Sequence, residues 1–338
     1  MDIHTNIPLR NHLTMKLGGN ARFIAIARSS DDVRQLCQNA RAQSLPIFVL
    51  GGGSNTLAHD EGYAGLVIKN QIKGVEIISE TESDITMCYG AGESWDDIVE
   101  QSVKQNLTGI EAMSAIPGTV GAAPVQNIGA YGQELADTFV ELEAYDIEQD
   151  TMTKLSAEDC KFSYRHSIFR GEATGKYIIT SVTLRLYKSA PQPPFYKALQ
   201  DYFDEHSVSL FTVQTVRDAV IVIRADKLPD PALRPNSGSF FKNAIIEKWQ
   251  LDELLKDYEM PHYDLGNDMY KIPTGWLIEQ TGVKGELLHG IRVNEKNALV
   301  LINESATSYN DLAAARDEIM GRVRDQFRIT IEQEPLEI

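Results

Sequence analysis

One hydroxyl is set apart by its surroundings. Ser239 lies in Asn236-Ser-Gly-Ser-Phe-Phe-Lys-Asn243, between a glycine and two aromatics, with a cation and an amide just downstream. A run of this kind can also be a buried strand entering a turn, its serine satisfied by backbone. Two further cations are isolated in aromatic- or proline-containing segments: Arg165 in Phe162-Ser-Tyr-Arg-His-Ser-Ile-Phe169 and Lys227 in Lys227-Leu-Pro-Asp-Pro231. The chain carries a formal charge of −16, so an anionic ligand would need a local positive pocket built against the long-range field. Arg165, Lys227 and Lys242 are the residues that could build it. The same charge argues against nucleic acid as a partner, because phosphate chains are held by clustered Lys and Arg.

Two glycine-rich segments add a second kind of chemistry. Gly51-Gly-Gly-Ser-Asn-Thr-Leu57 follows a short apolar run, where a nucleotide-binding fold would place a phosphate loop. Glycines there let backbone N–H groups approach a diphosphate, and Ser54 and Asn55 add hydrogen-bonding side chains. The dinucleotide fingerprint fails, since Thr56 stands in its last glycine position and no helical pattern follows, which disfavours a nicotinamide-type domain. The second segment runs from Ser114 to Gly132, with glycines at 118, 121, 129 and 132. Such density implies close backbone approach, and a helix starting near Thr119 would aim unpaired N–H groups at an anion.

The elements that position these groups can be read from periodicity. Ala21–Ala27 has strand character, Ser30 caps a helix through Val33, Leu36, Cys37 and Ala40, and Pro46–Leu50 is a second strand, giving a parallel strand–helix–strand unit. Val67–Lys69 and Gly74–Ile78 are expected as strands of a more meandering sheet. Ser94 opens a second amphipathic helix through Trp95, Ile98, Val99 and Val103, and residues 178–186 read as a strand. Proline clusters at 190–196 and 228–235 bracket a helix-rich segment. Beyond them the spacing predicts the Ser239 strand, a helix over 251–258, a strand over 298–302, a helix through Leu312, Ile319, Val323 and Phe327, and a final strand over 329–338.

At 338 residues and 37.7 kDa two or three domains are expected. No apolar run is long enough to span a bilayer and no secretory leader is legible, so a soluble cytoplasmic protein is the expectation. Three separated cysteines, Cys37, Cys88 and Cys160, read as packed thiols rather than as disulfides or metal ligands.

Seven segments then act together: Leu50–Asn55, Ile116–Gly132, Tyr164–Phe169, Lys227–Pro231, Gly238–Asn243, Gly275–Ile278 and Ala298–Asn303. In order and spacing they closely resemble the UDP-N-acetylenolpyruvoylglucosamine reductase family, and the proline-rich stretch with Tyr196 resembles its longer, type I form. The resemblance implies an α+β chain with a two-subdomain FAD-binding fold of the vanillyl-alcohol oxidase type, over 1–73 and 74–228, with the C-terminal strand 329–338 returning to the active site. An α+β substrate-binding domain would occupy 229–328. It further implies a monomer that uses FAD and NADPH, acts on a small UDP-sugar, and has no metal, nucleic-acid or membrane partner.

The same resemblance implies the site. FAD would be held by Gly51, Gly52, Gly53, Ser54, Asn55, Ile116, Pro117, Gly118, Thr119 and Gly121. Tyr196, Lys227, Asn243, Tyr263 and Asn297 match positions that bind the diphosphate and uridine of the substrate. Hydride passes from NADPH through FAD to the terminal carbon of an enolpyruvyl ether. Negative charge then builds on the neighbouring carbon and carboxylate, where a permanently cationic Arg165 can fork onto two oxygens. Ser239 matches the proton donor, and a serine can serve only if it is held beside the developing carbanion. Glu334 matches a C-terminal catalytic glutamate, although Pro335 departs from the pattern and leaves Glu332 as an alternative. Leu13 is a second departure, at a turn that commonly carries asparagine.

Two other classes are expected to fail on particular residues. A related flavin oxidase with covalent flavin would want a histidine in a glycine-rich loop, and neither loop has one. A binding module without catalysis would not need Arg165, Ser239 and a C-terminal glutamate together.

Overall fold

The computed structural model describes residues 3–338. Its described residues divide into two compact units, the first of residues 3–7, 21–53 and 63–225 and the second of residues 8–20, 54–62 and 226–338. Residues 329–338 group with residues 226–328 in the second unit.

In the first unit a four-stranded sheet runs in the order Ile3–Pro8, Asn20–Ala27, Tyr63–Asn70, Ile47–Leu50. The pairings of 63–70 with 20–27 and with 47–50 are both parallel. The strand–helix–strand unit is thus present, but its two strands are not neighbours. Tyr63–Asn70, expected in a separate meander, is inserted between them, because its run Leu66, Val67 and Ile68 is buried on both faces as an inner parallel strand requires. The helix Ser30–Ala42 is capped by Ser29, one residue earlier than expected, whose side chain accepts from the Asp32 amide. Its face Val33, Leu36, Cys37 and Ala40 is at most 2% exposed and packs with Ala25, Ala27, Leu66 and Ile68.

The larger sheet of this unit is antiparallel, in the order Thr151–Ser156, Phe139–Asp146, Tyr177–Tyr187, Asp84–Gly90, Val75–Glu80. The first two of these strands have no counterpart in the sequence expectations. Helix Trp95–Lys104 starts at Ser94 as expected and buries Trp95, Ile98, Val99 and Val103. Two helices, Lys197–Glu205 and Val213–Lys227, fill the segment between the proline clusters.

In the second unit, Asn236–Ser239, Val300–Asn303, Ile291–Val293 and Leu287–Leu288 form an antiparallel sheet, and Ala244–Glu247, Met269–Ile272 and Tyr263–Gly266 form another. Helix Tyr309–Phe327 buries the four expected positions, Leu312, Ile319, Val323 and Phe327. The helix expected over 251–258 is Lys248–Leu254, started by a Glu247–Gln250 capping box. The long C-terminal strand contracts to Leu336–Glu337, which pairs in parallel with Thr56–Leu57. Pro335 offers no N–H to a ladder, and the preceding residues make one antiparallel bridge, Phe241 to Gln333.

Cys37 and Cys160 are buried and Cys88 is half-buried. Burial first, then the Asp150 charge, pushes the Cys37 thiol up to about 12, and burial does the same for Cys160. Among the described residues no helix is long and apolar enough to cross a membrane, and no group of three or more His, Cys, Asp or Glu could hold a metal.

Candidate active site

In the first unit the two glycine segments meet. A Cβ on Gly51 would lie 2.6 Å from Thr119 Oγ1, and one on Gly52 would lie 3.0 Å from Gly118 Cα. Gly118 itself sits at φ +129°, a backbone region that residues with a side chain rarely adopt. A side chain at Gly52 would press on the facing backbone, whereas at Gly51 it would meet a threonine hydroxyl, so the closest backbone approach of the two loops is at Gly52. The anion-facing helix expected near Thr119 is a 310 turn, Val120–Gln126. Its first amides are spent internally: Val120 N–H donates to Glu93 O at 2.9 Å and Gly121 N–H to Ala91 O at 2.8 Å. The glycine-rich loop is stitched to the start of the 95–104 helix instead of presenting a helix dipole. Ser54 and Asn55 fall in the second unit, where Asn55 O accepts from Leu336 N–H at 3.0 Å.

A third attachment of this loop escaped the sequence. Asp96 Oδ1 accepts from the Ala115 amide at 2.6 Å and from Arg217 Nη1 at 2.6 Å, and Oδ2 accepts from Arg217 Nη2 at 3.0 Å. Burial would raise the Asp96 carboxyl, but the Arg217 hydrogen bonds and the Ala115 amide hold it below the usual carboxylate range. Asp96 reads in sequence as an ordinary first-turn acid, and nothing local links it to a guanidinium 121 residues away.

Arg165 stands at the tip of a tight turn in which Ser163 and His166 exchange both backbone hydrogen bonds at 3.1 Å. Its φ of +52° places a non-glycine residue in the left-handed region, which costs of order 1 kcal/mol and persists only where surrounding contacts enforce it. Those contacts are present. Ser167 Oγ donates to Val125 O at 2.7 Å, Asn127 Nδ2 to Ser163 O at 3.3 Å, and Arg170 Nη1 to Gln126 Oε1 at 2.7 Å. Arg165 Nη2 donates to Gly129 O at 2.7 Å, and its guanidinium lies 5.4 Å from the Tyr164 ring centroid. On the adjoining loop Tyr131 meets Tyr196 edge to face, with ring centroids 6.0 Å apart. Arg165 and Tyr196 are thus both attached to the 129–132 loop region.

In the second unit Ser239 ends the strand Asn236–Ser239 and is partly exposed. The strand is organised by Asn236, 2% exposed. Its Nδ2 donates to Pro229 O at 3.0 Å and Arg234 O at 2.7 Å, while its Oδ1 accepts from Gly238 N–H at 2.8 Å. Asn236 was in view in the sequence only as a neighbour, though an asparagine two residues before a glycine is a recognisable turn signal. Beyond Ser239 the chain pairs with the C-terminal segment: Glu334 N–H donates to Phe240 O at 2.8 Å, and Lys242 N–H to Glu332 O at 2.9 Å. The Lys242 ammonium also reaches the Glu332 carboxylate at 3.2 Å, where Glu332 is 72% exposed. The two acids are therefore inequivalent, Glu332 drawn outward by Lys242 and Glu334 hydrogen-bonded through its amide beside Ser239.

The C-terminal segment is fastened by Glu337. Its Oε1 accepts from Tyr309 Oη at 2.5 Å, Arg316 Nη1 at 2.9 Å and Gln333 Nε2 at 3.0 Å. Burial would raise this carboxyl, yet the Tyr309 and Gln333 hydrogen bonds and the Arg316 and His59 charges hold it low. Burial and the bond to Glu337 push Tyr309 up to about 12.

The remaining expected residues are spread over the second unit. Lys227 is exposed at the end of the 213–227 helix, and its carbonyl accepts from Asn294 at 3.2 Å. Asn243 Oδ1 accepts from the Thr274 amide at 3.2 Å, at the start of helix Thr274–Gln280. Tyr263 is 45% exposed, with the Lys271 ammonium 5.4 Å from its ring centroid. Asn297 Oδ1 accepts from Leu299 N–H at 3.1 Å, a local turn before the 300–303 strand. A cavity of about 380 Å3 lined by Glu247, Trp249, Asp252 and Asp268 holds none of the candidate residues.

Comparison with known proteins supplies the chemical context. The FAD binding domain family matches residues 21–156, a range that includes Gly51–Asn55 and Ile116–Gly121. The UDP-N-acetylenolpyruvoylglucosamine reductase C-terminal domain family matches residues 230–338, which include Ser239 and Glu334. A protein of Flavobacterium johnsoniae named UDP-N-acetylenolpyruvoylglucosamine reductase is 39% identical over 342 residues, 99% of each chain. Its namesake from Amoebophilus asiaticus is 38% identical over 335 residues, covering 99% of this chain and 98% of that one. Among solved structures, UDP-N-acetylenolpyruvylglucosamine reductase from Thermus caldophilus superposes with a TM-score of 0.68 at 21% identity, over 99% of this chain and 98% of that one, which supports the fold. With both halves matched in order and the full length covered, the chain belongs to the UDP-N-acetylenolpyruvoylglucosamine reductase family.

Proposed function

We propose that the protein reduces UDP-N-acetylglucosamine enolpyruvate to UDP-N-acetylmuramate with NADPH, as an FAD-containing oxidoreductase of peptidoglycan precursor synthesis. The observation that carries this is the end-to-end similarity to reductases of that name, joined to an FAD-binding match over the glycine cradle. Bound FAD supplies hydride transfer. The protein supplies binding, charge stabilisation and a proton.

Gly51–Gly53 and Ile116–Gly121 line the cofactor, where a backbone without side chains allows close approach of its diphosphate. Arg165 pairs with the substrate carboxylate and stabilises charge as it builds there, its guanidinium pre-oriented by Gly129 O. A fixed donor of this sort loses no energy to reorientation as the charge develops. Ser239 delivers the proton to the neighbouring carbon, held at a strand end whose backbone is fixed on both sides by Asn236 and by the Glu334–Phe240 hydrogen bond. Glu334 orients the substrate carboxyl, a role from which the Lys242 ion pair draws Glu332 away. Lys227, Tyr196, Asn243, Tyr263 and Asn297 bind the nucleotide portion. The working unit is a cytoplasmic monomer. Incubating the purified yellow protein with NADPH and the enolpyruvyl substrate tests the reading: a product two hydrogens heavier by mass supports it, and unchanged substrate overturns it.

A further inference from the structure

The helix Val213–Lys227 carries a second arginine that sequence reasoning did not single out. Arg217 and Arg224 are seven residues apart and so share a helix face. Arg217, 7% exposed, is matched by Asp96 through the two-pronged ion pair described above. Arg224 is not matched. Its Nε is completely buried and finds no acceptor among the described residues. A buried N–H without a partner is a rare expense in a folded protein, and more so on a guanidinium, which cannot shed its charge.

Its neighbours sharpen the point. Asp96 and Tyr131 flank Arg224 and favour its charge, while burial and the nearby Arg165 guanidinium oppose it. Asp96 already has both oxygens taken, by Arg217 and the Ala115 amide. Tyr131 is held against Tyr196, and Arg165 against Gly129 two residues from Tyr131. Two guanidiniums and two phenol groups are thus gathered in the first unit, and Asp96, the carboxylate that acts on Arg224, has its oxygens hydrogen-bonded to Arg217 and the Ala115 amide. Like charges brought together in this way are tolerated when a ligand brings the counter-charge.

We propose that Arg224 is a substrate-binding residue, its guanidinium receiving an anionic oxygen of the substrate alongside Arg165 and Tyr131. This rests on the reductase reading, under which the substrate carries both a carboxylate and a diphosphate. The shared chemistry is an oxyanion with two acceptor lone pairs, and the two sources separate experimentally. Uridine-diphosphate-N-acetylglucosamine offers the diphosphate alone, whereas the enolpyruvyl ether offers both groups.

The test uses FAD-loaded protein, wild type beside Arg224→Met and Arg224→Lys, titrated calorimetrically with each ligand. Losing a charged hydrogen bond corresponds to roughly 10- to 100-fold in affinity, and that weakening is expected for Arg224→Met, with partial recovery in Arg224→Lys. Loss confined to the enolpyruvyl ether assigns the carboxylate, and loss for both ligands assigns the diphosphate. Because Arg224 Nε makes no hydrogen bond among the described residues, Arg224→Met is expected to keep the wild-type melting temperature without ligand. Wild-type affinity for both ligands in Arg224→Met would overturn the proposal, as would a lowered melting temperature with affinity unchanged. Wild-type protein that binds neither ligand would overturn the reductase reading and this inference with it.

Discussion

Glu334 N–H donates to the Phe240 carbonyl at 2.8 Å, which ties a C-terminal acid to the residue next to Ser239 across almost a hundred positions of sequence. The neighbouring Glu332 is instead paired with Lys242 and 72% exposed. Replacing each acid by its amide should separate the two. Glu334→Gln is expected to lower turnover of the enolpyruvyl substrate by about 100- to 1000-fold, the scale of a lost electrostatic contact in a transition state. Glu332→Gln should stay within about twofold of wild type, since exposed ion pairs contribute little. Steady-state kinetics of the two variants checks this, and the reverse ranking would exchange the assignments.

The glycine cradle gives a prediction about cofactor retention. Gly52→Ala brings a Cβ to 3.0 Å from Gly118 Cα, a backbone contact that cannot swing away. Overpacking of this kind costs about 1–3 kcal/mol, here spent on parting the two loops. The variant is expected to purify folded but depleted in flavin, measured as bound FAD per chain. Full flavin content would show that the loops do not have to touch.

Asp96 holds the Ala115 amide and the buried Arg217 at once. Asp96→Asn strands that guanidinium, and breaking a largely buried pair from one side costs several kcal/mol, discounted to about 2–3 kcal/mol because the Asp96 side chain is 34% exposed. Adding Arg217→Met to this variant should restore part of the loss. Urea denaturation of the two variants measures both effects, and additive losses would contradict the coupling.

The C-terminal anchor predicts a pH dependence. Glu337 is held below its usual carboxylate range in the folded protein, so its contribution is present above the unfolded glutamate pKa of about 4.3 and fades as pH falls through the lower folded value. Wild type should therefore lose melting temperature more steeply than Glu337→Gln below about pH 4.3, and near neutrality the variant should be the less stable. Parallel curves across that range would remove Glu337 from the account of acid stability.

Periodic elements were legible in the chain. The helices at 30–42, 95–104 and 309–327 bury the residues their spacing singled out, because one amphipathic face decides both pattern and packing. The strands 139–146 and 151–156 were not seen. In Phe139–Asp146 the acids Glu141 and Glu143 alternate with buried Leu142 and Ala144, a pattern that a search for apolar runs passes over. The insertion of Tyr63–Asn70 between two earlier strands is a long-range pairing that no local signal specifies. At the site, the glycines and Ser239 announced themselves by composition. Asp96, Arg217 and Arg224 did not, since a charge reveals its role only through a partner brought in by the fold.

The proton-donor assignment is tested most directly by separating the two halves of the reaction in Ser239→Ala. Flavin is first reduced with NADPH in the absence of oxygen, and the enolpyruvyl substrate is then added while flavin reoxidation is followed by stopped flow. The expected result is reduction at the wild-type rate with reoxidation slowed by about 100- to 10,000-fold, the range for loss of a positioned acid. Equal slowing of both halves, or wild-type reoxidation, would contradict it.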